Sequence, residues 1–334
     1  MTVDVMLPYY GDVHQMKLAA RSVMNQENQD WRLVVIDDGY PDPEPERWFS
    51  TITDPRVTYM KNEQNLGANG NYRKALTLVE APYVVIMGAD DIMLPNYLDV
   101  VVSAFEEYPK ADVVQPGVQV IDEQGIACTP LVDAVKKVYA PKTSERIELK
   151  GEAMATSLVR ADWAYFPSLA WRSETVKRIG FTEGLDVVQD LALLLDIAAE
   201  HGSMIVDPVL AFLYRRHSAS DSSVRALDGR RFDEERRFFQ QQAERFGKLG
   251  WKRAARAASF HTTSRLNAAS LILKSVQKGK FDSLPRLAKH IVSYRLQRKG
   301  RPAGRPFSCF RFFSCAAFCR AAQEGASARA APNR

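Results

Sequence analysis

Cysteine is scarce in this 334-residue chain. Cys128, Cys309, Cys315 and Cys319 are the four, three of them crowded into the last 26 residues and none in a CxxC spacing. This excludes a disulfide scaffold and a thiolate metal site, and it fits a reducing, cytoplasmic setting. Long apolar runs are missing as well. Without a stretch of about 18 uncharged apolar residues, no spanning helix is expected. The opening Met1-Thr2-Val3-Asp4-Val5 has no basic leader and meets an acid early, so no signal peptide is expected. No GxGxxG turn follows a strand-like run, which argues against an NAD-dependent enzyme.

What is present suits a globular protein: 46% hydrophobic, 25% charged and 10% aromatic residues, enough at this length for a sizeable core. The net charge of +5 conceals a split. Residues 1–210 hold 18 Lys and Arg against 32 Asp and Glu, whereas residues 211–334 hold 27 against 8. An acidic front and a strongly basic rear suggest two surfaces with different tasks. The rear suits nucleic acid, an anionic membrane face or a phosphorylated substrate, and a solvated helical surface is the plainer alternative.

Along the front half, strand-like and helical stretches alternate. Residues 3–7, 33–36, 57–60, 83–87 and 112–115 read as short apolar strands, and residues 13–24, 70–79 and 95–108 as helices. Alternation at this spacing predicts a mostly parallel sheet covered on both faces, with ligands bound beyond the carboxyl ends of its strands. Polar clusters stand at those ends: Pro8-Tyr9-Tyr10, Asp37-Asp38-Gly39 and Gly88-Ala89-Asp90-Asp91. Between 120 and 165 the pattern blurs. It returns with residues 169–171, a helix over 190–201 and a strand-like run at 209–213. An arginine-rich helical stretch (228–275), a basic amphipathic segment (283–299) and an aperiodic tail (300–334), expected to be disordered or loosely attached, complete the chain.

Two chemistries compete for each acidic cluster. Adjacent Asp90 and Asp91 after a buried strand suit a hard divalent cation shared with substrate phosphates, or a helix cap near Asn96. Asp37-Asp38-Gly39 suits a ligand contact or a tight turn. Asp190 at a helix start suits a general base or a carboxylate favoured by the helix dipole. Arg215, Arg216 and His217 suit phosphate contacts or an ordinary surface, and Trp163 and Trp171 read as core.

Taken together, a strand ending in Asp-Asp-Gly, Asn65-Leu66-Gly67 before a helix, and a strand ending in Gly-Ala-Asp-Asp resemble a family 2 glycosyltransferase of GT-A fold. The resemblance spans roughly residues 2–220. It implies an α/β nucleotide-binding domain over 1–220, with a mostly parallel sheet flanked by helices, followed by a basic helical region over 221–299. It places Pro8, Tyr9, Tyr10, Asp38, Asn65 and Asp90 on the donor nucleotide, and Asn71, Arg73, Arg215 and His217 on the donor phosphate or sugar. It assigns Asp91, with Asp90, to Mn2+ or Mg2+, and Asp190 to the catalytic base. This chain departs from the family pattern in three places: Gly88 replaces an acid, Arg73 an Asn, and Gln189 the commoner Glu before Asp190.

The activity implied is inverting, metal-dependent transfer from a nucleotide-diphospho-sugar to a saccharide or lipid-linked acceptor in cell-surface polysaccharide synthesis. The setting would be cytoplasmic, with peripheral contact to anionic membrane, and nucleic acid is not an expected partner. A sugar nucleotidyltransferase is the alternative, although Pro8-Tyr9-Tyr10-Gly11-Asp12 lacks its glycine-rich basic turn. A noncatalytic binder of nucleotide-sugars or other anions is the other.

Overall fold

The computed structural model describes residues 2–216, 230–277 and 284–297. The expectations for His217 and for the tail over 300–334 fall outside these residues. The described chain lies almost wholly in the compact unit Met1–Tyr294; only the end of one helix belongs to Arg295–Arg334.

Four parallel strands form the front of the sheet: β1 (Val3–Tyr9), β2 (Trp31–Asp37), β3 (Val57–Lys61) and β4 (Tyr83–Ile86), in the order β3-β2-β1-β4. Their β-branched runs are buried on both faces, as a sheet sandwiched between helices requires. Alternate residues divide between two cores. Met6, Val34, Ile36, Val84 and Ile86 pack with residues of α3 (Gly67–Thr77), α6 (Gly151–Ala161) and α8 (Gln189–Ala199). Val5, Leu7, Leu33, Val35 and Val85 pack with α1 (Val13–Met24) and α4 (Tyr97–Glu107). The period of two along each strand produces this division.

Beyond β4 the sheet becomes mixed. β8 (Ala170–Arg172) runs antiparallel between β4 and β6 (Val113–Ile121), and β6 pairs in parallel with the long β9 (Ser203–Arg215). β5 (Ile92–Met93) and β7 (Ile147–Lys150) join β9 antiparallel. The strand-like run at 209–213 is thus only the outer part of β9, whose inner part Ser203–Asp207 escapes a reading for alternation because both of its faces are covered.

The blurred stretch holds α5 (Leu131–Tyr139), β7 and α6, and the run Pro41-Asp42-Pro43-Glu44-Pro45 leads into α2 (Glu44–Phe49). A short turn of helix at Ser173–Ile179 is α7. The basic rear divides into α9 (Arg230–Lys248), α10 (Lys252–Phe260), α11 (Thr262–Gln277) and α12 (Leu284–Gln297), broken at Gly250 and at His261, which takes the left-handed conformation. The expected amphipathic segment is α12, but its Leu287 and Ile291 pack against Phe232, Ala268 and Leu271. That part of its apolar face is used within the fold. Among the described residues no helix is long and apolar enough to cross a membrane.

Candidate active site

The carboxyl ends of β1, β2 and β4 stand side by side, with Tyr9 in register with Asp37 and Met87 N bonded to Met6 O at 2.9 Å. The residues that follow build one wall. Asp37 closes its own turn: Oδ1 accepts from Tyr40 N at 2.6 Å and Oδ2 from the Tyr59 hydroxyl at 2.5 Å. Asp38, also buried, does something else. Its Oδ1 accepts from Asn62 Nδ2 at 2.8 Å and from Leu66 N at 2.9 Å, bracing the loop that leads into α3. Asn71 completes that brace, donating to Ile36 O at 2.9 Å and accepting from Asn62 at 3.2 Å, so it is buried beneath the pocket rather than presented to it.

The aromatic pair after β1 separates by burial. Tyr9 is enclosed, its hydroxyl donating to Gly11 O at 2.8 Å, and burial with the nearby Asp37 raises its pKa. Tyr10 is 58% exposed and stands edge-on to Tyr40 at 5.5 Å between centroids. Tyr10 and Tyr40 are therefore the more open rings beside the enclosed Tyr9. Pro8 lies within β1 opposite Ile36, half-buried. Asn65 is exposed and its Oδ1 accepts from Gly67 N at 2.9 Å, which stabilises the left-handed turn at Gly67 (φ +71°).

After β4 the chain turns through Gly88. A Cβ there would collide with the Asp91 carboxylate and come within 2.9 Å of Asp90 Oδ1. The missing family acid thus makes room for the two that remain. Asp91 is buried, and its Oδ1 accepts from Arg215 N at 2.8 Å. It is bonded across to β9 and caps no helix. Its Oδ2 is buried without a partner among the described residues. Burial first, and the charge of Asp90 second, hold the Asp91 carboxyl well above the usual range. Such a group favours a cation. Among the described residues no three His, Cys, Asp or Glu side chains converge. The chain supplies a two-carboxylate seat that suits a hard divalent ion completed by phosphate oxygens.

Arg215 supports this seat from behind. Its Nε donates to Asp90 O at 2.7 Å and its Nη1 to Asp122 O at 3.0 Å, so the guanidinium is occupied by backbone rather than held out towards a phosphate. Arg216 grips buried Asp133 with two bonds, at 2.7 and 3.0 Å, and lies 4.8 Å from the Tyr214 ring centroid. Asp133 also accepts from the Tyr165 hydroxyl at 3.1 Å, and Lys136 Nζ lies 4.9 Å over the Tyr165 ring. Burial lowers the Lys136 pKa, against the opposing pull of Asp162, Asp190 and Asp133.

Asp190 stands in the first turn of α8, where the charge of Lys136 acts on it. Asp190 Oδ1 accepts from Leu191 N at 2.9 Å. Burial, reinforced by the like charge of Asp162, raises its pKa to about 7. Asp162 caps α6 in the left-handed region (φ 43°). The loop ahead of α8 is tied from two sides. Glu234 Oε1 of α9 accepts from the backbone N–H of Asp186, Val187 and Val188 at 3.1, 2.7 and 3.1 Å. Asn69 of α3 donates to Leu185 O, and Arg73 Nη1 donates to Asn69 Oδ1 at 2.9 Å. Arg73 therefore braces the donor-side helix against the Asp190 loop. Trp163 and Trp171 are buried in the core.

Sequence reasoning missed Tyr40, Asp133, Lys136, Asp162 and Glu234. Asp133, Lys136 and Asp162 lie where periodicity is lost, and nothing in their local sequence marks them.

Comparison with known proteins agrees with this fold. The glycosyl transferase family 2 profile matches residues 4–138. An uncharacterized glycosyltransferase of Methanocaldococcus jannaschii is 26% identical over 56% of this chain and 61% of its own length. A putative colanic acid biosynthesis glycosyl transferase of Escherichia coli is 27% identical over 29% of this chain and 36% of its own. Neither match reaches two thirds of the relative's length. Among solved structures, Staphylococcus aureus TarS 1–349 superposes with a TM-score of 0.60 at 16% identity, covering 87% of this chain and 81% of that one. The mannosyltransferase PcManGT of Pyrobaculum calidifontis, in complex with GDP-Man and Mn2+, superposes with a TM-score of 0.57 at 18% identity, covering 89% and 83%. The fold shared with these glycosyltransferases is GT-A, and over residues 4–138 this chain is similar to glycosyl transferase family 2.

Proposed function

We propose that the protein transfers a sugar, with inversion, from a nucleotide-diphospho-sugar to an acceptor hydroxyl in the synthesis of a cell-surface polysaccharide. One observation carries the reading. Burial raises the Asp190 pKa to about 7 and the charge of Lys136 acts against it, while burial holds the Asp91 carboxyl well above the usual range against the charges of Arg215 and Arg216. A base and a diphosphate seat flanking one charged cluster are what a single displacement needs.

Tyr10 and Tyr40 offer a surface for the nucleobase, and Asp38 Oδ2 a hydrogen-bond acceptor beside it, its Oδ1 being already held by Asn62 and Leu66. Asp91, with Asp90, would hold Mn2+ or Mg2+, which when bound neutralises the diphosphate leaving group. Asp190 takes the proton from the acceptor hydroxyl as its oxygen attacks the anomeric carbon; the sugar–phosphate bond breaks and the nucleoside diphosphate departs. A carboxylate of pKa near 7 is a stronger base than an ordinary one and is ionised at neutral pH in part of the population. TarS has been crystallised with UDP-GlcNAc and PcManGT with GDP-Man and Mn2+, which supports this donor class and cofactor. An Escherichia coli relative, 28% identical over 30% of this chain, transfers glucose to a diphosphoundecaprenol-linked sugar. Another, a succinoglycan biosynthesis protein of Rhizobium meliloti, is 22% identical over 68% of this chain. Both support a saccharide or lipid-linked acceptor, reached at the inner membrane face.

The test is release of nucleoside diphosphate from uridine, guanosine and thymidine diphospho-sugars, with chelator and with Mn2+ or Mg2+ restored. One donor class should turn over, and only with metal. Equal turnover in chelator would remove the metal assignment, and full activity in Asp190→Asn the base.

A further inference from the structure

A groove of about 410 Å3 opens beside α6 and α10, lined by Tyr139, Arg160, Arg253, Arg256, Phe260 and Thr262, together with Ala257. Its volume falls within the range of small-molecule sites, roughly 300–1,000 Å3. None of these residues takes part in the donor or acceptor chemistry above.

The groove is written into α10. Arg253, Arg256, Ala257 and Phe260 stand at i, i+3, i+4 and i+7 and so share one helix face. The intervening Ala254 and Ala258 are buried in the core that holds Met154, Ala155 and Leu158 of α6. Small residues bring α10 close against α6 and leave the arginine face outward. Arg160 comes from the last turn of α6 and Tyr139 from the end of α5. Thr263 Oγ1 donates to Arg160 O at 2.7 Å, fixing the start of α11 as the remaining wall.

Many arginines of this protein are matched to carboxylates, among them Arg32 to Asp4, Arg146 to Asp207, Arg216 to Asp133, Arg231 to Glu235 and Arg245 to Asp196, and Arg172 and Arg215 bond backbone carbonyls. Among the described residues, Arg160, Arg253 and Arg256 have no carboxylate in ion-pair contact. The nearby Glu152 is already used: its Oε1 accepts from Arg253 N at 2.6 Å at the start of α10. No acid stands in the first turn of α10, although Lys252 and Arg253 lie there, at the end where the helix dipole disfavours cations. Arg256 lies 5.8 Å over the Phe260 ring, which pre-orients its guanidinium. Three cations lining one concavity, with Arg253 at the wrong end of its helix, lack only a polyanion. Guanidinium forks beside aromatic walls suit phosphate oxygens and the apolar or sugar group that carries them.

We propose that this groove binds a phosphorylated ligand, with Arg160, Arg253 and Arg256 on the phosphate oxygens and Tyr139 and Phe260 flanking the attached group. The site is separate from the donor seat and stands whether or not the transfer reaction above is correct. Phosphate of this kind comes from a soluble phosphate ester or from a lipid headgroup.

The experiment uses the full chain in chelator. Inorganic pyrophosphate is titrated calorimetrically, and sedimentation with phosphatidylglycerol or phosphatidylcholine vesicles is measured in parallel. Arg253→Gln/Arg256→Gln and Arg160→Gln are compared with the wild type and with Asp91→Asn. The substituted arginines are exposed, and thermal melts verify folding. The double variant should bind about tenfold more weakly or worse, while Asp91→Asn binds as the wild type does. Pyrophosphate binding without vesicle binding identifies a soluble ligand. Arginine-dependent binding to phosphatidylglycerol but not phosphatidylcholine identifies a headgroup. No binding of either probe, equal binding by the double variant, or loss of pyrophosphate binding in Asp91→Asn overturns the proposal.

Discussion

Asp4 and Asp91 lie at opposite ends of the same sheet, are each 1% exposed, and are held in opposite ways. At the amino end of β1, Asp4 takes bonds from Arg32 Nε and Nη2 at 2.9 and 2.7 Å and from the backbone N–H of Glu80 and Ala81 at 2.6 and 2.9 Å. Its charge is matched and its lone pairs are engaged. Beyond the carboxyl end of β4, Asp91 receives one backbone N–H, leaves Oδ2 unbonded and has Asp90 as a like-charged neighbour. Burial alone therefore does not distinguish a structural carboxylate from one proposed to hold a ligand. Satisfaction does. A buried charge left incomplete is a cost to the fold, and it persists where a ligand completes it.

The comparison breaks most sharply under substitution. Asp190→Asn should lower kcat by about 10²–10⁴-fold while donor binding is kept, because only the proton acceptor is lost. Asp91→Asn should reduce turnover by about a hundredfold at saturating metal, with weaker metal activation. Both variants should melt at or above the wild-type temperature near pH 8, since each removes a buried charge that the apo-protein does not compensate. Asp4→Ala should do the reverse. Turnover per folded molecule should be unchanged, with stability falling by about 3 kcal/mol in urea unfolding, the lower end for a broken buried pair because Arg32 is partly exposed. A loss of stability in Asp91→Asn matching that in Asp4→Ala would remove the distinction.

A smaller effect is expected where the acceptor half is held in place. Glu234→Ala leaves the N–H groups of Asp186, Val187 and Val188 without their shared acceptor, loosening the loop that sets Asp190. A fall of about tenfold in kcat with little change in donor KM is expected, partly restored by Glu234→Gln, whose amide oxygen still accepts. An equal rise in donor KM would instead indicate general disruption.

The two halves of the site also differ in how far the sequence reveals them. The proposed donor half is legible because short hydrophobic strands end abruptly in polar clusters, and parallel topology gathers those ends at one edge. Asp38, Asp90, Asp91 and Tyr10 follow from that logic. Burial could not be read there: Tyr9 and Tyr10 are identical letters, and only the fold encloses one and exposes the other. The acceptor half rests on contacts between distant segments. Asp133 meets Arg216 across 83 positions, and Glu234 meets Val187 across 47. Asp190 was legible only by resemblance. Asp162, which tunes it, lies at a helix end within the stretch where periodicity fails. The rear was legible as basic and helical, but not as three arginines on one groove and an apolar face of α12 turned into the fold.

Asp162 provides the finest test of the acceptor half. Its like charge is the second cause, after burial, of the raised Asp190 pKa of about 7, and Lys136 opposes it. If Asp190 must be ionised to accept the proton, kcat/KM rises with pH through about 7 and levels off above. Asp162→Asn removes the like charge and should move that limb to lower pH by about one unit or less. Lys136→Met removes the opposing cation and should move it to higher pH. Asn is among the residues that best tolerate the left-handed conformation at 162, so the first substitution changes charge without changing the turn. The stability signs follow from the same shift. A carboxyl whose pKa is raised by folding weakens the fold as pH climbs from its unfolded value, near 4, towards 7. Asp162→Asn should therefore raise the melting temperature most at pH 8, where Asp190 carries its charge, and the gain should fade towards pH 5, where it does not. Rate limbs displaced in opposite directions by the two variants would tie Asp162, Lys136 and Asp190 to one proton. Two unmoved limbs would place the rate-determining ionisation elsewhere.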